Sequence, residues 1–341
     1  MEIEMERYEG GGGINVAFCV NDRYSAYVAT TIASFCHFTK SFIHFYVIES
    51  DMIELHKQMI RDLSKVYDNF DVKFIRSEID KYKNLPQVYA KAKISKDVYN
   101  RILIPELIEV DKIIYSDVDV MATGDISELW NENLGDNVVG MVKDACYNKD
   151  FYNVFGKTEL KMKAKLIKVD LTDYFYSGMI LIDCKKWREG DFTKKIFDCV
   201  PKAVTQCIEQ DAISMALKGK IQPLDIKYCY TSRYCYITKI DNCVIRHFEG
   251  KNKPWHAQRS NCLEQKIDYL YSTWWYFASK TEFYSSLLND NIVYIRQQEI
   301  SKCTFEVKLF NHLLLFSVKK LNNKVYVKLF NCIPLFKKVK K

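Results

Sequence analysis

The stretch Ile14-Asn15-Val16-Ala17-Phe18-Cys19-Val20 is mostly apolar and predicts a buried β-strand. A helical pattern follows over Ser25–Phe38, and then come a strand over residues 42–48, an amphipathic helix over 52–66 and a strand over 72–75. This alternation predicts a βαβαβ unit. Such units are typical of a mainly parallel sheet that helices cover on both faces, so we expect an α/β fold.

The same alternation continues along the chain. We predict a helix over residues 97–108, a strand over 112–115 and later strands over 138–142 and 179–184. Residues 146–176 are rich in Tyr, Phe and Lys and have weak periodicity, which indicates a long loop or lid over a site. Residues 14–260 are therefore expected to form one domain.

The N-terminus and the hydropathy of the chain bear on its location. Residues 1–13 include four consecutive glycines and are predicted to be flexible. The first residues are acidic, whereas a signal peptide begins with basic and then apolar residues, and no apolar stretch reaches 18 residues. We expect a cytoplasmic protein.

Charge and cysteine usage exclude several classes of protein. Residues 301–341 contain ten Lys and one Glu, so they carry +9, and the other 300 residues carry −2 of the total of +7. Because a nucleic-acid enzyme usually spreads basic residues over its binding face, we expect no nucleic-acid partner. The twelve cysteines include no Cys-x-x-Cys pair, which argues against a zinc knuckle and a disulfide scaffold.

The C-terminal residues form two further segments. Residues 261–300 are predicted to be helical and rich in aromatic residues. In the tail, residues 301–341, the sequence Val-Lys-Leu-Phe-Asn occurs at 307–311 and again at 327–331, a repeat of period 20. Alternating apolar and basic residues indicate a pair of edge strands or interfacial segments, and Pro334 argues against a long helix. We expect this tail to bind the anionic cytoplasmic face of a membrane peripherally; the alternative is a solvated Lys-rich end.

Two carboxylates, Asp117 and Asp119, directly follow the predicted strand 112–115. Ligands of open α/β sheets gather where strands end, and two neighbouring carboxylates repel unless a divalent cation lies between them. Roughly one Asp-x-Asp is expected by chance in a chain of this length at ordinary Asp usage, so a metal site needs further ligands elsewhere in the chain. His247 is a candidate third metal ligand, while Gly250 allows close backbone approach and Lys253 supplies charge for phosphates.

Six motifs appear in the order found in the retaining glycosyltransferases of family 8, which this chain resembles over residues 14–260. They are the segment 15–24 (Asn-Val-Ala-Phe-Cys-Val-Asn-Asp-Arg-Tyr), Tyr99-Asn100-Arg101, Asp117-Val118-Asp119, the strand beginning Ser177-Gly178, Glu209-Gln210-Asp211, and His247-x-x-Gly250-x-x-Lys253-Pro254-Trp255. Within the family, the chain is most similar to the bacterial galactosyl- and glucosyltransferases of lipopolysaccharide and lipooligosaccharide synthesis.

The resemblance implies a GT-A fold, which is a Rossmann-like nucleotide-sugar-binding sheet flanked by helices, here with a basic C-terminal extension. It further implies a hexosyltransferase that moves galactose or glucose from UDP-galactose or UDP-glucose to a lipid-linked or oligosaccharide acceptor of a surface glycan. The anomeric configuration would be retained. The implied cofactor is Mn²⁺, with Mg²⁺ as the alternative.

The resemblance also assigns roles to residues of this chain. The implied metal ligands are Asp117, Asp119 and His247. Gln210 would lie beneath the anomeric carbon, with Glu209 and Asp211 beside it. The implied donor-binding residues are Tyr24 and the backbone near Cys19 at the uracil end, Asn21 at the uracil or ribose, and Asp117 at the ribose. Arg101 would contact the sugar and the phosphate, and Gly250 and Lys253 would hold the diphosphate. Ser177 and Gly178 complete the donor-binding set.

Three positions depart from the family pattern. Asn21 and Glu209 stand where the family generally carries Asp, and Tyr176 stands where it commonly carries Asn. An amide at position 21 changes the hydrogen bonds offered to the nucleotide, and Tyr176 would narrow the sugar pocket or stack on the acceptor. Two alternatives stay open: an autoglucosylating protein like glycogenin, which shares the fold class, and a catalytically silent relative that binds nucleotide or glycan, which only these departures suggest.

Overall fold

The computed structural model of the 341-residue chain forms two compact units. One comprises Met1–Gly250 and Lys266–Tyr284, and the other comprises Lys251–Gln265 and Ser285–Lys341. The residues described are 13–82, 85–86, 88–89, 92–93, 95–145, 168–169, 173–203, 207–250, 253–256, 265–302, 304–309, 313–321, 324–329 and 333–339. Apart from Gly13, the predicted flexible segment 1–13 lies outside this set, as does most of the predicted loop 146–176.

The first unit is built on a seven-stranded sheet. Its strands are β1 (Ile14–Val20), β2 (Ile43–Glu49), β3 (Phe70–Arg76), β6 (Lys112–Ser116), β8 (Val139–Lys143), β9 (Phe175–Asp183) and β10 (Ile221–Leu224). Across the sheet they lie in the order β10-β8-β9-β6-β1-β2-β3. Two further strands, β4 (Val88–Tyr89) and β5 (Ala92–Lys93), form a separate antiparallel pair.

The large sheet is mainly parallel, as predicted. Strand β1 lies between β2 and β6 and pairs with both in parallel, β2 pairs with β3 in parallel, and β10 pairs with β8 in parallel. Strand β9 is the exception, since it runs antiparallel to both β6 and β8. The aliphatic and aromatic side chains of β1 are buried, which agrees with a central strand covered on both faces.

The described residues also form ten α-helices and several short 3₁₀ turns, which connect the strands. They are α1 (Ser25–Phe38), α2 (Glu54–Arg61), α3 (Asn100–Leu107), α4 (Ser127–Trp130), α5 (Cys184–Glu189), α6 (Phe192–Cys199), α7 (Ile208–Ala216), α8 (Tyr234–Ile237), α9 (Gln265–Ala278) and α10 (Tyr284–Lys302). The predicted bounds of α1 are correct. The predicted helix 52–66 is shorter and ends in the 3₁₀ turn Asp62–Lys65, and the predicted helix 97–108 begins with the 3₁₀ turn Lys96–Tyr99.

A small second sheet in the first unit brings distant parts of the chain together. It consists of β7 (Val120–Ala122), β11 (Tyr230–Thr231) and β12 (Ile245–His247), in the order β11-β12-β7. Strand β12 runs antiparallel to β7 and parallel to β11. Because β7 begins directly after Asp119, this sheet places the end of β12 beside the Asp-x-Asp segment.

The second unit contains a four-stranded antiparallel sheet. Its strands are β13 (Thr304–Leu309), β14 (Leu313–Leu321), β15 (Lys324–Leu329) and β16 (Ile333–Val339), which pair in chain order. Each copy of the 20-residue repeat begins one hairpin, and the pairing shifts register at the same place in both copies, between Val307 and Lys308 and between Val327 and Lys328. The tail therefore contains four strands, where we expected a pair of edge strands or interfacial segments.

None of the described helices has the length and apolar character needed to span a bilayer. The predicted helical segment 261–300 corresponds to the two helices α9 and α10, which are separated by a turn at residues 279–283. The predicted domain limits at residues 260 and 300 stay predictions.

Candidate active site

The segment between β6 and β7 carries Asp117 and Asp119 and is held by hydrogen bonds from two sides. The amide of Asp117 donates to the carbonyl of Gly178 on β9 at 2.9 Å. The hydroxyl of Thr31 on α1 donates to the carbonyls of Val118 and Val120, at 3.0 and 3.1 Å. Neighbouring secondary structure therefore fixes the backbone that presents both carboxylates.

His247, at the end of β12, lies opposite these carboxylates. It pairs with Val120 across β7 and β12, and the next amide, that of Phe248, donates to the carbonyl of Asp119 at 2.9 Å. The imidazole Nε2 is 2.9 Å from Asp119 Oδ1 and 3.9 Å from Asp117 Oδ2. The imidazole is buried, whereas both carboxylates are partly exposed, so the group opens toward solvent on the carboxylate side.

These three side chains fit a divalent cation. Asp117, Asp119 and His247 each offer one ligand atom, and the three atoms lie within 4.8 Å of one another. Carboxylate oxygens suit Mn²⁺ and Mg²⁺, and a site that includes imidazole nitrogen favours Mn²⁺ over the oxygen-preferring Mg²⁺. The predicted ligand set is therefore brought together, and no described group of three or more His, Cys, Asp or Glu side chains outside it shares this geometry.

Gly178 forms one wall of this group. A Cβ atom at position 178 would lie 2.5 Å from His247 Cε1, 2.6 Å from Tyr176 Cε1 and 2.8 Å from Asp117 Oδ2. Real Cβ contacts are longer than these, so only glycine lets the three side chains converge here.

Asp117 is oriented by two donors on the side away from His247. Its Oδ1 accepts hydrogen bonds from the Tyr115 hydroxyl and from the guanidinium of Arg101, the latter at 3.1 Å. Burial raises the pKa of Tyr115 well above its usual value, so the phenol stays protonated and can donate. Oδ2 is left on the side of His247. No motif in the sequence marks Tyr115 as a residue of the site.

Arg101 links the Asp-x-Asp segment to the strand and helix beside it. Its guanidinium donates to the carbonyl and hydroxyl of Ser177, at 2.9 and 3.1 Å, and lies 3.8 Å from Glu209 Oε1. Burial raises the pKa of Glu209, and the positive charge of Arg101 opposes that shift. The predicted contact of Arg101 with the donor sugar stays a prediction.

Gln210, on α7, has both ends of its amide hydrogen-bonded. Its Oε1 accepts from the backbone amide and hydroxyl of Ser177, at 3.2 and 3.3 Å, and its Nε2 donates to Asp144 Oδ2 at 2.8 Å. We did not predict Asp144. It directly follows a buried strand, β8, as Asp117 follows β6, and that signal could have identified it. Asp211 is fully buried and accepts a hydrogen bond of 2.6 Å from Tyr174.

The predicted nucleotide-binding residues lie at and after the end of β1. Asn21 Nδ2 donates to Asp97 Oδ2 at 2.9 Å, and Tyr24 is exposed over 45% of its surface. Cys19 lies on β1; burial raises the pKa of its thiol, and nearby Arg101 opposes the shift. These placements leave the proposed contacts with uracil as predictions.

The remaining predicted phosphate-binding residues follow β12. Gly250 has a φ of +72°, a backbone conformation that favours glycine. Lys253 belongs to the second compact unit, where its Nζ lies 5.8 Å from the centre of the Trp255 ring. Their roles at a diphosphate also stay predictions.

Tyr176, one of the three departures, lies at the metal-ligand group. Its hydroxyl is 3.5 Å from His247 Nε2, and the two rings are 5.1 Å apart with their planes at 68°. Burial raises the pKa of Tyr176 well above its usual value, so its hydroxyl is a neutral donor. From the sequence we expect Tyr176 to affect the sugar pocket or the acceptor. The structure shows that it also contacts the ring of His247.

Comparison with known families agrees with this arrangement. Residues 15–259, well over half of the chain, match the family described as glycosyl transferase family 8. The chain belongs to this family. The protein is therefore a glycosyltransferase, and the family predicted from the six motifs is confirmed.

Relatives in the family are distant in sequence. A protein named as a putative glycosyltransferase of Haemophilus influenzae is 26% identical over 73% of this chain and 76% of its own length. The lipopolysaccharide 1,2-glucosyltransferase of Escherichia coli is also 26% identical, over 71% of this chain and 73% of its own. The chain thus has relatives among lipopolysaccharide glucosyltransferases.

Solved structures in the comparison share the fold. The galactosyltransferase LgtC, solved with donor and acceptor sugar analogues, has a TM-score of 0.65 at 21% identity and covers 79% of this chain and 96% of its own. The bifunctional glycosyltransferase WbbM has a TM-score of 0.68 at 17% identity. The match covers 84% of this chain and 53% of WbbM, so this chain spans about half the length of WbbM. The predicted GT-A fold is confirmed.

Proposed function

We propose that this protein is a retaining hexosyltransferase that moves galactose or glucose from a UDP-sugar to a glycan acceptor. The main support for the proposal is the convergence of Asp117, Asp119 and His247. Beside them, Ser177 is hydrogen-bonded to both Arg101 and Gln210. The related lipopolysaccharide glucosyltransferase supports a surface glycan, lipid-linked or oligosaccharide, as the acceptor.

The proposed reaction breaks the bond between the anomeric carbon and the diphosphate. Negative charge develops on the leaving diphosphate and positive charge on the sugar ring, so cations are needed on one side and anions on the other. A Mn²⁺ ion, or Mg²⁺ in its place, bound by Asp117, Asp119 and His247 would supply positive charge for the diphosphate. Lys253 is the side chain that we propose to assist it.

Gln210 is proposed to orient and stabilise the sugar. Amides are poor nucleophiles, and the hydrogen bonds to Ser177 and Asp144 fix the direction of this amide. Glu209, kept near Arg101, is the carboxylate that we propose to contact sugar hydroxyls. Retention of configuration is compatible with two routes, a covalent intermediate on a side chain and attack on the same face guided by the leaving phosphate.

The proposal is tested with a panel of UDP-sugars, with Mn²⁺ or with EDTA, scored for slow hydrolysis of the donor. We expect turnover of UDP-galactose or UDP-glucose that stops in EDTA and returns when Mn²⁺ is added. Turnover that persists without metal would contradict the metal assignment. Sugar added to the protein itself, detected by intact mass without acceptor, would favour the glycogenin-like alternative, and binding of UDP without any turnover would favour the silent one.

We also propose that the C-terminal sheet associates with anionic membranes. The tail carries +9 of charge, and each Lys near an anionic surface contributes about 1 kcal/mol. The backbone register aligns Phe305, Val318, Val327 and Phe336 in one row across the sheet, and Thr304, Lys319, Tyr326 and Lys337 in the adjacent row. Neighbouring rows belong to opposite faces, so the apolar positions of the first row and the two Lys positions of the second lie on opposite faces of the sheet.

Removing the tail tests this proposal. A variant that ends at Glu299 is expected to keep donor hydrolysis but to lose sedimentation with vesicles rich in phosphatidylglycerol. The full chain should bind these vesicles more weakly as salt rises, because exposed charges are screened. Neutral phosphatidylcholine vesicles and the full-length double variant Lys319→Glu/Lys337→Glu serve as controls, and both should show weak binding. Equal vesicle binding with and without the tail would reject the membrane proposal.

A further inference from the structure

Cys229 contacts the imidazole of His247 from the side opposite the carboxylates. It is buried, and its Sγ lies 3.6 Å from His247 Nδ1. It directly precedes β11, whose residues Tyr230 and Thr231 pair with Arg246 and His247 of β12. The pairing of these strands thus holds the thiol beside the ring, and none of the roles proposed above uses it.

The two ring nitrogens of His247 have different partners. Nε2 faces Asp119 Oδ1 at 2.9 Å, and Nδ1 faces Cys229 Sγ. An imidazole that binds a cation through Nε2 carries its proton on Nδ1, and this N–H needs an acceptor to fix the ring and its tautomer. In the described part of the chain, the sulfur of Cys229 is the hydrogen-bond partner of Nδ1.

We propose that Cys229 is a positioning residue for His247 in metal binding. It accepts the Nδ1 proton and keeps Nε2 directed at the carboxylates; the inference rests on the metal site proposed above. Gly178 packs on the ring and the Tyr176 hydroxyl lies 3.5 Å from Nε2, whereas Cys229 is at Nδ1, the nitrogen that carries the proton when Nε2 binds a cation.

A thiol suits this role because it can both accept and donate a hydrogen bond. Without a cation, a neutral His247 can keep its proton on Nε2 and donate it to Asp119, while the Cys229 S–H donates to Nδ1. With a cation on Nε2, the ring proton lies on Nδ1 and the sulfur accepts it. The number of protons on the ring is the same in both states, and Cys229 stabilises each of them.

Direct measurement of Mn²⁺ affinity tests the inference. Free Mn²⁺ is followed by its EPR signal during titration of the full chain, with thiols kept reduced. Cys229→Val keeps an apolar side chain of similar size without a hydrogen-bonding group, and Cys229→Ser keeps such a group. We expect Cys229→Val and Cys229→Ala to weaken Mn²⁺ binding by about tenfold. Cys229→Ser should bind more tightly than Cys229→Val.

Cys184→Ala is the matched control, since Cys184 is a buried cysteine in the core cluster and is expected to leave Mn²⁺ affinity unchanged. Wild-type affinity in Cys229→Val, or a Ser variant as weak as the Val variant, would overturn the role of Cys229 while leaving the metal site intact. If the wild type binds no Mn²⁺, both the metal site and this inference are wrong. If Cys229→Ala fails to fold, the Ser and Val pair still decides.

Discussion

Replacing Asp119 with Asn is expected to lower the rate of UDP-sugar hydrolysis on the order of 10³-fold. The substitution keeps the shape of the side chain but removes the negative charge that lies 2.9 Å from His247 Nε2. A cation held by the remaining ligands would bind more weakly and neutralise less charge on the leaving diphosphate. The measurement is kcat for donor hydrolysis at saturating Mn²⁺, together with Mn²⁺ affinity.

A matched control for this change is Asp136→Asn, which alters an exposed Asp in the turn before β8. That variant should keep the wild-type rate and Mn²⁺ affinity. Thermal unfolding of both variants should resemble that of the wild type, because Asp119 is partly exposed. An Asp119→Asn protein with full activity would show that the carboxylate pair is not the metal anchor.

The second large effect is expected for Gly178→Ala. The added methyl group would lie within 3 Å of side-chain atoms of His247, Tyr176 and Asp117, and two of these residues are proposed metal ligands. At least one of them must shift, and a misplacement of about 1 Å can lower a rate about 10²-fold. We therefore expect losses of roughly that size in donor hydrolysis, together with weaker Mn²⁺ binding in the EPR titration.

The control is Gly140→Ala, the same substitution on the neighbouring strand β8. There the new methyl group meets the ends of the Leu134 and Leu224 side chains, at 2.9 and 3.1 Å, which can rotate away at modest cost. This variant should retain both the rate and the metal affinity. Equal behaviour of the two alanine variants would mean that Gly178 has no special role at the site.

The fold was largely predictable because the pattern of apolar residues indicates which strands and helix faces are buried. The apolar run of β1 and the pattern of α1 gave the correct bounds for both elements. The direction of β9 was not predictable, since a strand buried on both faces has the same apolar pattern whether it runs parallel or antiparallel. The number of strands in the tail was missed because the apolar stretch that follows each repeat forms a second strand, such as β14.

The site residues that belong to sequence motifs were predictable, and those that reach the site only through tertiary contacts were not. Asp117, Asp119 and His247 belong to ordered motifs, and β7 and β12 bring them together. Cys229 and Tyr115 act through contacts that depend on strand pairing, and neither residue lies in a motif that marks it. Sequence alone therefore identifies the proposed metal ligands but not the side chains that orient them.

We propose that a cation bound by Asp117, Asp119 and His247 holds the diphosphate of the donor. Anomalous diffraction from crystals of the full chain grown with Mn²⁺ and UDP would locate this cation. We expect a Mn²⁺ peak in contact with these three side chains and with the diphosphate of UDP. UDP bound with no Mn²⁺ beside it, or Mn²⁺ held by other residues, would show that the three side chains do not hold the cation.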